Sequence, residues 1–124
     1  MTTNDQQLPG FRSCENHGFQ IFFENGWGVS VQFGPGNYCS QRGASYFHSE
    51  LWDSATAEVA VFSPPNWEFL AIGGDDPTMG NLKPILVGKI IALVSSLSAD
   101  ADQESTTHRV KGLLLMESYR KPAA

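Results

Sequence analysis

Basic residues are scarce in this sequence: eight Lys and Arg stand against thirteen Asp and Glu, which gives a formal net charge of −5. A domain that grips DNA or RNA neutralises phosphates with a basic face. The shortage of positive charge therefore argues against direct binding of nucleic acid. It leaves room for a small anionic ligand, because a few arginines in one pocket are enough to bind one.

Long hydrophobic runs and cysteines are also few. The longest apolar stretch, "PILVGKIIALV" at 84–94, is interrupted by Lys89 and is too short to cross a membrane. The opening residues, "MTTNDQQLPG", are polar and lack the apolar segment of a secretory signal. We therefore expect a cytoplasmic protein without membrane contact, in which Cys14 and Cys39 remain thiols.

The length and the hydrophobic content fit one domain. With 124 residues, 41% of them hydrophobic, the chain is long enough to bury a single core without a metal or a disulfide. Residues 1–9 are polar and without periodicity, which predicts a disordered terminus. We expect residues 10–80 to be mainly β and residues 81–124 to be mainly α.

Two alternating runs flank Asn25-Gly26, a pair typical of a type I′ hairpin turn. One side of the two runs carries their apolar residues: Phe19, Ile21, Phe23, Trp27, Val29, Val31 and Phe33. The stretches "ATAEVAVFS" at 55–63 and "WEFLAIG" at 67–73, separated by Pro64-Pro65-Asn66, predict a third and a fourth strand. The pattern predicts an α+β fold: an antiparallel β-meander of about four strands packed by one or two C-terminal helices.

A helix is predicted after the turn-rich cluster at 73–81, with Thr78 or Asn81 as its cap. Apolar residues follow at helical spacing: Leu82, Leu86, Ile90, Leu93, Val94 and Leu97. Val87 and Ile91 widen this stripe, so we expect contact on two sides, by the sheet and by a second body such as a partner subunit. The stretch "HRVKGLLLMESYR" at 108–120 fits either a closing strand or a second helix.

Catalytic and metal-binding motifs are not indicated. Zinc-ligand atoms occur at Cys14, His17, Cys39 and His48, but their spacing is unlike that of compact zinc sites. No local signature marks a Cys–His nucleophile. Asp75 and Asp76 follow two glycines and are typical of a turn. We expect a protein without enzymatic activity, metal or cofactor.

Aromatic residues in loop-like sequence are the more informative feature. In the aperiodic stretch 34–54, Tyr38 and Tyr46 lie near Arg42, so that rings to stack a purine accompany a guanidinium to hold a phosphate. The alternative is that aromatics of this loop, such as Phe47 and Trp52, fold over the sheet as a lid.

A basic cluster at 108–111 contains Arg109. It either balances charge near a helix end or meets an anion at a subunit interface. The predicted ligand-binding residues are Asn37, Tyr38, Arg42, Tyr46 and Arg109.

The stretch "FENGWGVSVQFGPGNYC" at 23–39, followed by "TAEVAVF" at 56–62 and "LVSSL" at 93–97, resembles small phage-encoded counter-defence proteins. It is similar to the Thoeris anti-defence sponge family, whose members bind cyclic nucleotide immune signals. The match covers residues 19–97. The sequence departs from the family in its proline-rich third turn and its long C-terminal extension, which leaves the ligand and the pocket residues open.

The resemblance implies a protein of the infected bacterial cytoplasm that sequesters its nucleotide without cleaving it. It also implies homo-oligomers built through the helices, with the ligand in a pocket between protomers. The main alternative is an inhibitor of the anti-CRISPR type, which binds a host defence protein through an acidic and aromatic surface.

Overall fold

The computed structural model describes residues 9–15, 17–40, 43, 53–74 and 76–119, without the side chains of 117–119. Within these residues the elements are β1 (Gly10–Ser13), β2 (Gly18–Phe22), β3 (Gly28–Gln32), β4 (Ala57–Ser63), β5 (Glu68–Phe69), β6 (Thr78–Leu82), α1 (Pro84–Ser95) and α2 (Gln103–Tyr119). The strands form one sheet in the order β1-β2-β3-β4, and both β5 and β6 pair with β4. All pairings are antiparallel. The predicted α+β class, with helices packed on a meander, is confirmed.

The hydrophobic core lies between the helices and one face of the sheet, which we call the inner face. Helix α1 contacts β3 and β4, and α2 packs against α1. The predicted inner face of the second hairpin strand is confirmed, since Trp27 and the β3 residues Val29 and Val31 all belong to this core. Helix α2 is thus the second body that the wide apolar surface of α1 requires.

Two strands and one cap differ from the prediction. Strand β1 is too short to show a clear period, and β6 occupies the stretch expected to be a turn. Pairing of Ala57 with Leu82 and of Ala60 with Thr78 extends the sheet and outweighs the local turn signal. The cap of α1 is Lys83, without a side-chain bond, and Pro84 follows in the first turn. Thr78 and Asn81 as caps were therefore wrong.

The predicted type I′ turn is also wrong. The N–H of Gly26 donates to the carbonyl of Phe23 at 3.0 Å, and Gly26 has φ 86°. Asn25 does not share that conformation, because the described non-glycine residues with positive φ are Glu15, Trp67 and Asn81. The loop is instead a type I turn followed by a left-handed glycine, the usual three-residue hairpin connection.

The hydrogen bonds of the Asn25 side chain explain why the hairpin adopts this turn type. Its Oδ1 accepts from the N–H of Trp27 at 2.9 Å, while its Nδ2 donates to the carbonyls of Val94 at 3.0 Å and Leu97 at 2.8 Å. The indole Nε1 of Trp27 donates to the carbonyl of Ser98 at 3.2 Å. These bonds tie the hairpin turn to carbonyls at the C-terminal end of α1 and in the segment that follows it. We call Asn25 and Trp27 the turn–helix clamp.

Helix α2 includes most of the stretch 108–120, so the helical alternative is confirmed up to residue 119. Its C-terminal part exposes Leu115 and Met116, and α1 exposes Ile85. Within the described residues neither helix combines the length and the apolar character needed to cross a membrane. The disorder expected at 1–9 falls mainly on residues 1–8, which lie outside the described part of the chain.

Asp102 caps the start of α2. Its Oδ2 accepts from the N–H of Ser105 at 2.8 Å. Asp102→Ala should lower the free energy of unfolding by about 1 kcal/mol, because this N–H loses its partner. Asp102→Asn should retain most of the stability, since asparagine caps comparably. Urea denaturation checks both variants, and equal losses would contradict a capping role.

Candidate ligand-binding cleft

A cleft opens on the face of the sheet opposite α1, which we call the outer face. Its volume is about 110 Å³. The lining combines five polar residues with four apolar ones: Gln20, Ser30, Gln32, Glu58 and Thr78, beside Val59, Ala60, Phe62 and Phe69. The cleft is held by the sheet register, because Gln20 pairs with Ser30 and Ser30 pairs with Ala60 across neighbouring strands. Directly paired residues point to the same face.

Two glutamine amides converge on one hydroxyl inside the cleft. The Nε2 of Gln32 donates to the Oγ of Ser30 at 2.9 Å, and the Nε2 of Gln20 donates to it at 3.4 Å. Ser30 is buried at the centre of the outer face. Each NH₂ group donates one hydrogen to Ser30 and keeps a second N–H, and each amide also has an oxygen that accepts hydrogen bonds.

Glu58 adds a carboxylate to these acceptors. It pairs with Gln32 across β3 and β4, and its Oε1 accepts from the Nδ2 of Asn37 at 3.1 Å. Asn37 is itself fixed, because its Oδ1 accepts from the N–H of Gly34 at 2.9 Å. The loop after β3 thereby orients Glu58, whose Oε2 adds a further acceptor. The cleft is therefore rich in acceptor oxygens and suits a ligand group that donates hydrogen bonds.

An aromatic cluster borders the cleft. The rings of Phe62 and Phe69 lie with centroids 4.8 Å apart, and Phe22 stacks on Phe62 at 5.7 Å. Trp67 meets Phe22 edge-on at 4.9 Å. Phe69 remains 56% exposed. A planar ligand in the cleft would find an accessible ring at this end.

A cation lies on the same face. Arg12 of β1 pairs with Gln20, and its Cζ lies 5.5 Å from the centroid of the Phe22 ring. This position is one strand beyond the cleft, on the side away from β4. An anionic part of a ligand would meet the guanidinium there.

The predicted ligand residues are not all brought together. Asn37 contacts Glu58 and acts as its support. Tyr38, 53% exposed, follows it, and the Tyr38 carbonyl accepts from the N–H of Asn81 on β6. Arg109 is exposed on α2, in the layer on the opposite side of the sheet. The predictions for Arg42 and Tyr46, like the lid of Phe47 and Trp52, lie outside the described residues.

Cys14 is half-buried and Cys39 is buried in the structure. Cys39 is 5% exposed, and its Sγ donates to the carbonyl of Gly34 at 3.3 Å. Both cysteines are free thiols. Burial raises the pKa of the Cys14 thiol above its ordinary value, although the charge of Arg12 acts in the opposite direction. A raised pKa leaves less of the nucleophilic thiolate at neutral pH.

Metal ligands do not gather in the described part of the chain. No three of its His, Cys, Asp and Glu side chains are placed to hold an ion. His48, which completes the set considered from the sequence, lies outside that part.

The sequence contained a signal for part of this cleft. Gln20, Ser30 and Gln32 occupy the polar positions of the two hairpin strands, and the loop length sets Gln20 opposite Ser30. Glu58 carries no such signal, because a long connection separates β3 from β4. Phe69 was placed in the predicted fourth strand, but the pattern did not predict that Phe62 would lie opposite it.

No protein-family model matches this chain. No curated protein and no solved structure matches it either. The function of the cleft is therefore inferred from the chemistry of its own residues.

Proposed function

We propose that this protein is a phage counter-defence protein that works by occupancy and sequesters a cyclic nucleotide immune signal. One base of the signal enters the outer-face cleft. The observation that carries the proposal is that Glu58, Gln20 and Gln32 line one cleft together with Phe69, whose ring is 56% exposed. Proteins commonly hold an unpaired base by its hydrogen-bonding edge and by stacking on an aromatic ring.

The acceptor oxygens of Glu58, Gln20 and Gln32 determine which hydrogen-bond donors the ligand must carry. Amine and ring N–H groups of a base edge donate to carboxylate and amide oxygens. A phosphate in the cleft would instead meet the negative charge of Glu58 and would be repelled. The phosphates of the signal therefore lie outside the cleft, and Arg12 on the same face supplies a positive charge for one of them.

The size of the cleft limits how much of the ligand one protomer buries. Small-molecule sites usually enclose about 300–1,000 Å³, whereas this cleft encloses about 110 Å³. A single base fits this scale better than a whole cyclic nucleotide. A second protomer would have to cover the remainder, and Tyr38 and Arg109 stay candidates for that contact.

Isothermal titration with cyclic ADP-ribose isomers and cyclic oligonucleotides tests the proposal. We expect one of them to bind, and Glu58→Gln to weaken its binding about tenfold or more, because an acceptor oxygen is exchanged for an NH₂ group. Glu104→Gln, an equal change of charge at an exposed position of α2, is the matched control. No heat with any of these nucleotides, from folded protein, would overturn the proposal.

A separate measurement tests whether the protein degrades the nucleotide that it binds. The bound nucleotide should be recovered chemically unchanged when the complex is denatured and examined by mass spectrometry. An altered product, absent from a control without protein, would show that the protein degrades the signal.

A second candidate function, inhibition of a host defence protein, is favoured by charge. The net charge of −5 and the acceptor oxygens of the cleft also suit an arginine side chain on the basic surface of a partner. Capture of one stoichiometric host protein from infected cells, lost in Glu58→Gln and kept in Glu104→Gln, would support this function. Nucleotide binding without such a partner would exclude it.

A further inference from the structure

Strand β1 forms one edge of the sheet. It pairs with β2 through the partners Arg12 with Gln20 and Gly10 with Phe22. The N–H of Cys14 donates to the carbonyl of Gly18, which makes this a hydrogen-bonded pair. Bonded and non-bonded pairs alternate along an antiparallel ladder. The backbone N–H and C=O groups of Phe11 and Ser13 therefore point away from β2.

This edge presents an aromatic side chain together with its outward backbone groups. Phe11 is 81% exposed, and Arg12 and Ser13 are exposed as well. Among the described strands, β2 is the partner of β1. Outward backbone groups on an exposed edge are able to pair with a strand of another chain.

We propose that β1 pairs with β1 of a second copy, antiparallel, about a two-fold axis at Phe11. Among the symmetric registers that the outward groups permit, the two centred on Phe11 and on Arg12 keep most of β1 paired. The register centred on Arg12 sets two guanidinium groups directly opposite each other, which is unfavourable. The register centred on Phe11 sets the two phenyl rings opposite each other instead.

The neighbouring positions fit the Phe11 register. Arg12 faces Gly10 of the partner subunit, and Gly10 has open space, because no atom lies within 4 Å of the place a Cβ would occupy. Ser13 faces the partner's Pro9, whose carbonyl accepts although proline has no N–H to return. The pairing therefore forms roughly four backbone hydrogen bonds and ends at the proline.

The interface is small. A four-residue strand and one exposed ring bury less than the ~1,200–2,000 Å² of a stable protein–protein interface. We therefore expect a dissociation constant between about 1 μM and about 1 mM. The dimer joins the two sheets edge to edge, in contrast to the helix-mediated oligomer that the resemblance implies.

Sedimentation equilibrium from about 5 μM to about 1 mM tests the dimer. Phe11→Lys should raise the dissociation constant about tenfold or more, because it removes the ring pair and sets like charges opposite each other. Met116→Lys adds the same charge at an exposed apolar position of the helix layer and should leave the dimer intact. A monomer at every concentration, or dissociation by Met116→Lys and not by Phe11→Lys, would overturn the proposal.

Cysteine cross-linking tests the register. Cα atoms of a hydrogen-bonded antiparallel pair lie about 5.5 Å apart, which a disulfide spans. Phe11→Cys should therefore form a covalent dimer under mild oxidation, whereas Arg12→Cys should not exceed the background set by Cys14 and Cys39 in the parent chain. Cross-linking by Arg12→Cys alone would overturn the register, and cross-linking by neither variant would overturn the pairing.

Discussion

Gly18→Ala should cost about 4 kcal/mol of unfolding free energy or prevent folding. Gly18 opens β2 with φ 147°, and a Cβ there would lie 2.1 Å from the carbonyl oxygen of Val31 and 2.8 Å from the Cα of Gln32. Both atoms belong to the backbone of β3, which is paired on its other side with β4. Because β3 is held by its pairing with β4, it cannot move away from β2. The new methyl group must therefore break the first hydrogen bonds between β2 and β3.

Gly10→Ala is the matched control for this clash. Gly10 has almost the same backbone angle, φ 146°, but no atom lies within 4 Å of its absent Cβ. We expect a loss of about 1–2 kcal/mol, from the strained angle alone. Urea denaturation at low protein concentration, followed by circular dichroism, measures both variants. Equal losses would show that the angle and not the close approach to β3 makes glycine necessary.

Asn25→Asp should be the second most damaging change, at about 3 kcal/mol. The substitution keeps the size of the side chain but replaces the Nδ2 that donates to the carbonyls of Val94 and Leu97 with an oxygen. The new carboxylate would face carbonyl oxygens at the negative end of the α1 dipole. Repulsion is thus added to the loss of two hydrogen bonds.

Two further variants separate repulsion from lost bonding at the clamp. Asn25→Ala removes the bonds without adding charge and should cost about 2 kcal/mol. Asn66→Asp makes the same chemical change in an exposed turn and should stay within about 0.5 kcal/mol of the parent. Thermal and urea unfolding give the ranking, and an Asn25→Asp protein as stable as the Asn66→Asp protein would contradict the clamp.

Local sequence patterns predicted much of this fold. The hairpin shows their limit, because they predicted its strands correctly but not its turn. The alternation around Asn25-Gly26 placed both strands and their inner face, because each strand displays its own period. The turn type was wrong because Asn25 bonds to residues about seventy positions later, at distances that no local window contains. Strand β6 was missed for a similar reason, since its pairing with β4 is non-local.

The candidate site was harder to predict than the fold. Its polar side chains come from β2, β3, β4 and β6, and only the sheet register brings them together. Asn37 was selected as a ligand residue, whereas in the structure its amide donates to Glu58. Aromatic and basic residues are readily selected from a sequence as candidate ligand residues. Glutamines such as Gln20 and Gln32 are typical of any protein surface, and only the structure shows that they lie side by side in a cleft.

The turn–helix clamp also bears on the order of events during synthesis. The ribosome releases the hairpin first, yet Asn25 and Trp27 bond to carbonyls at 94–98, and α1 covers Val29 and Val61 from 84–95. A nascent chain that stops before these residues leaves the indole and the valines facing water. The sheet of this protein therefore becomes stable only after residues 84–98 have emerged from the exit tunnel.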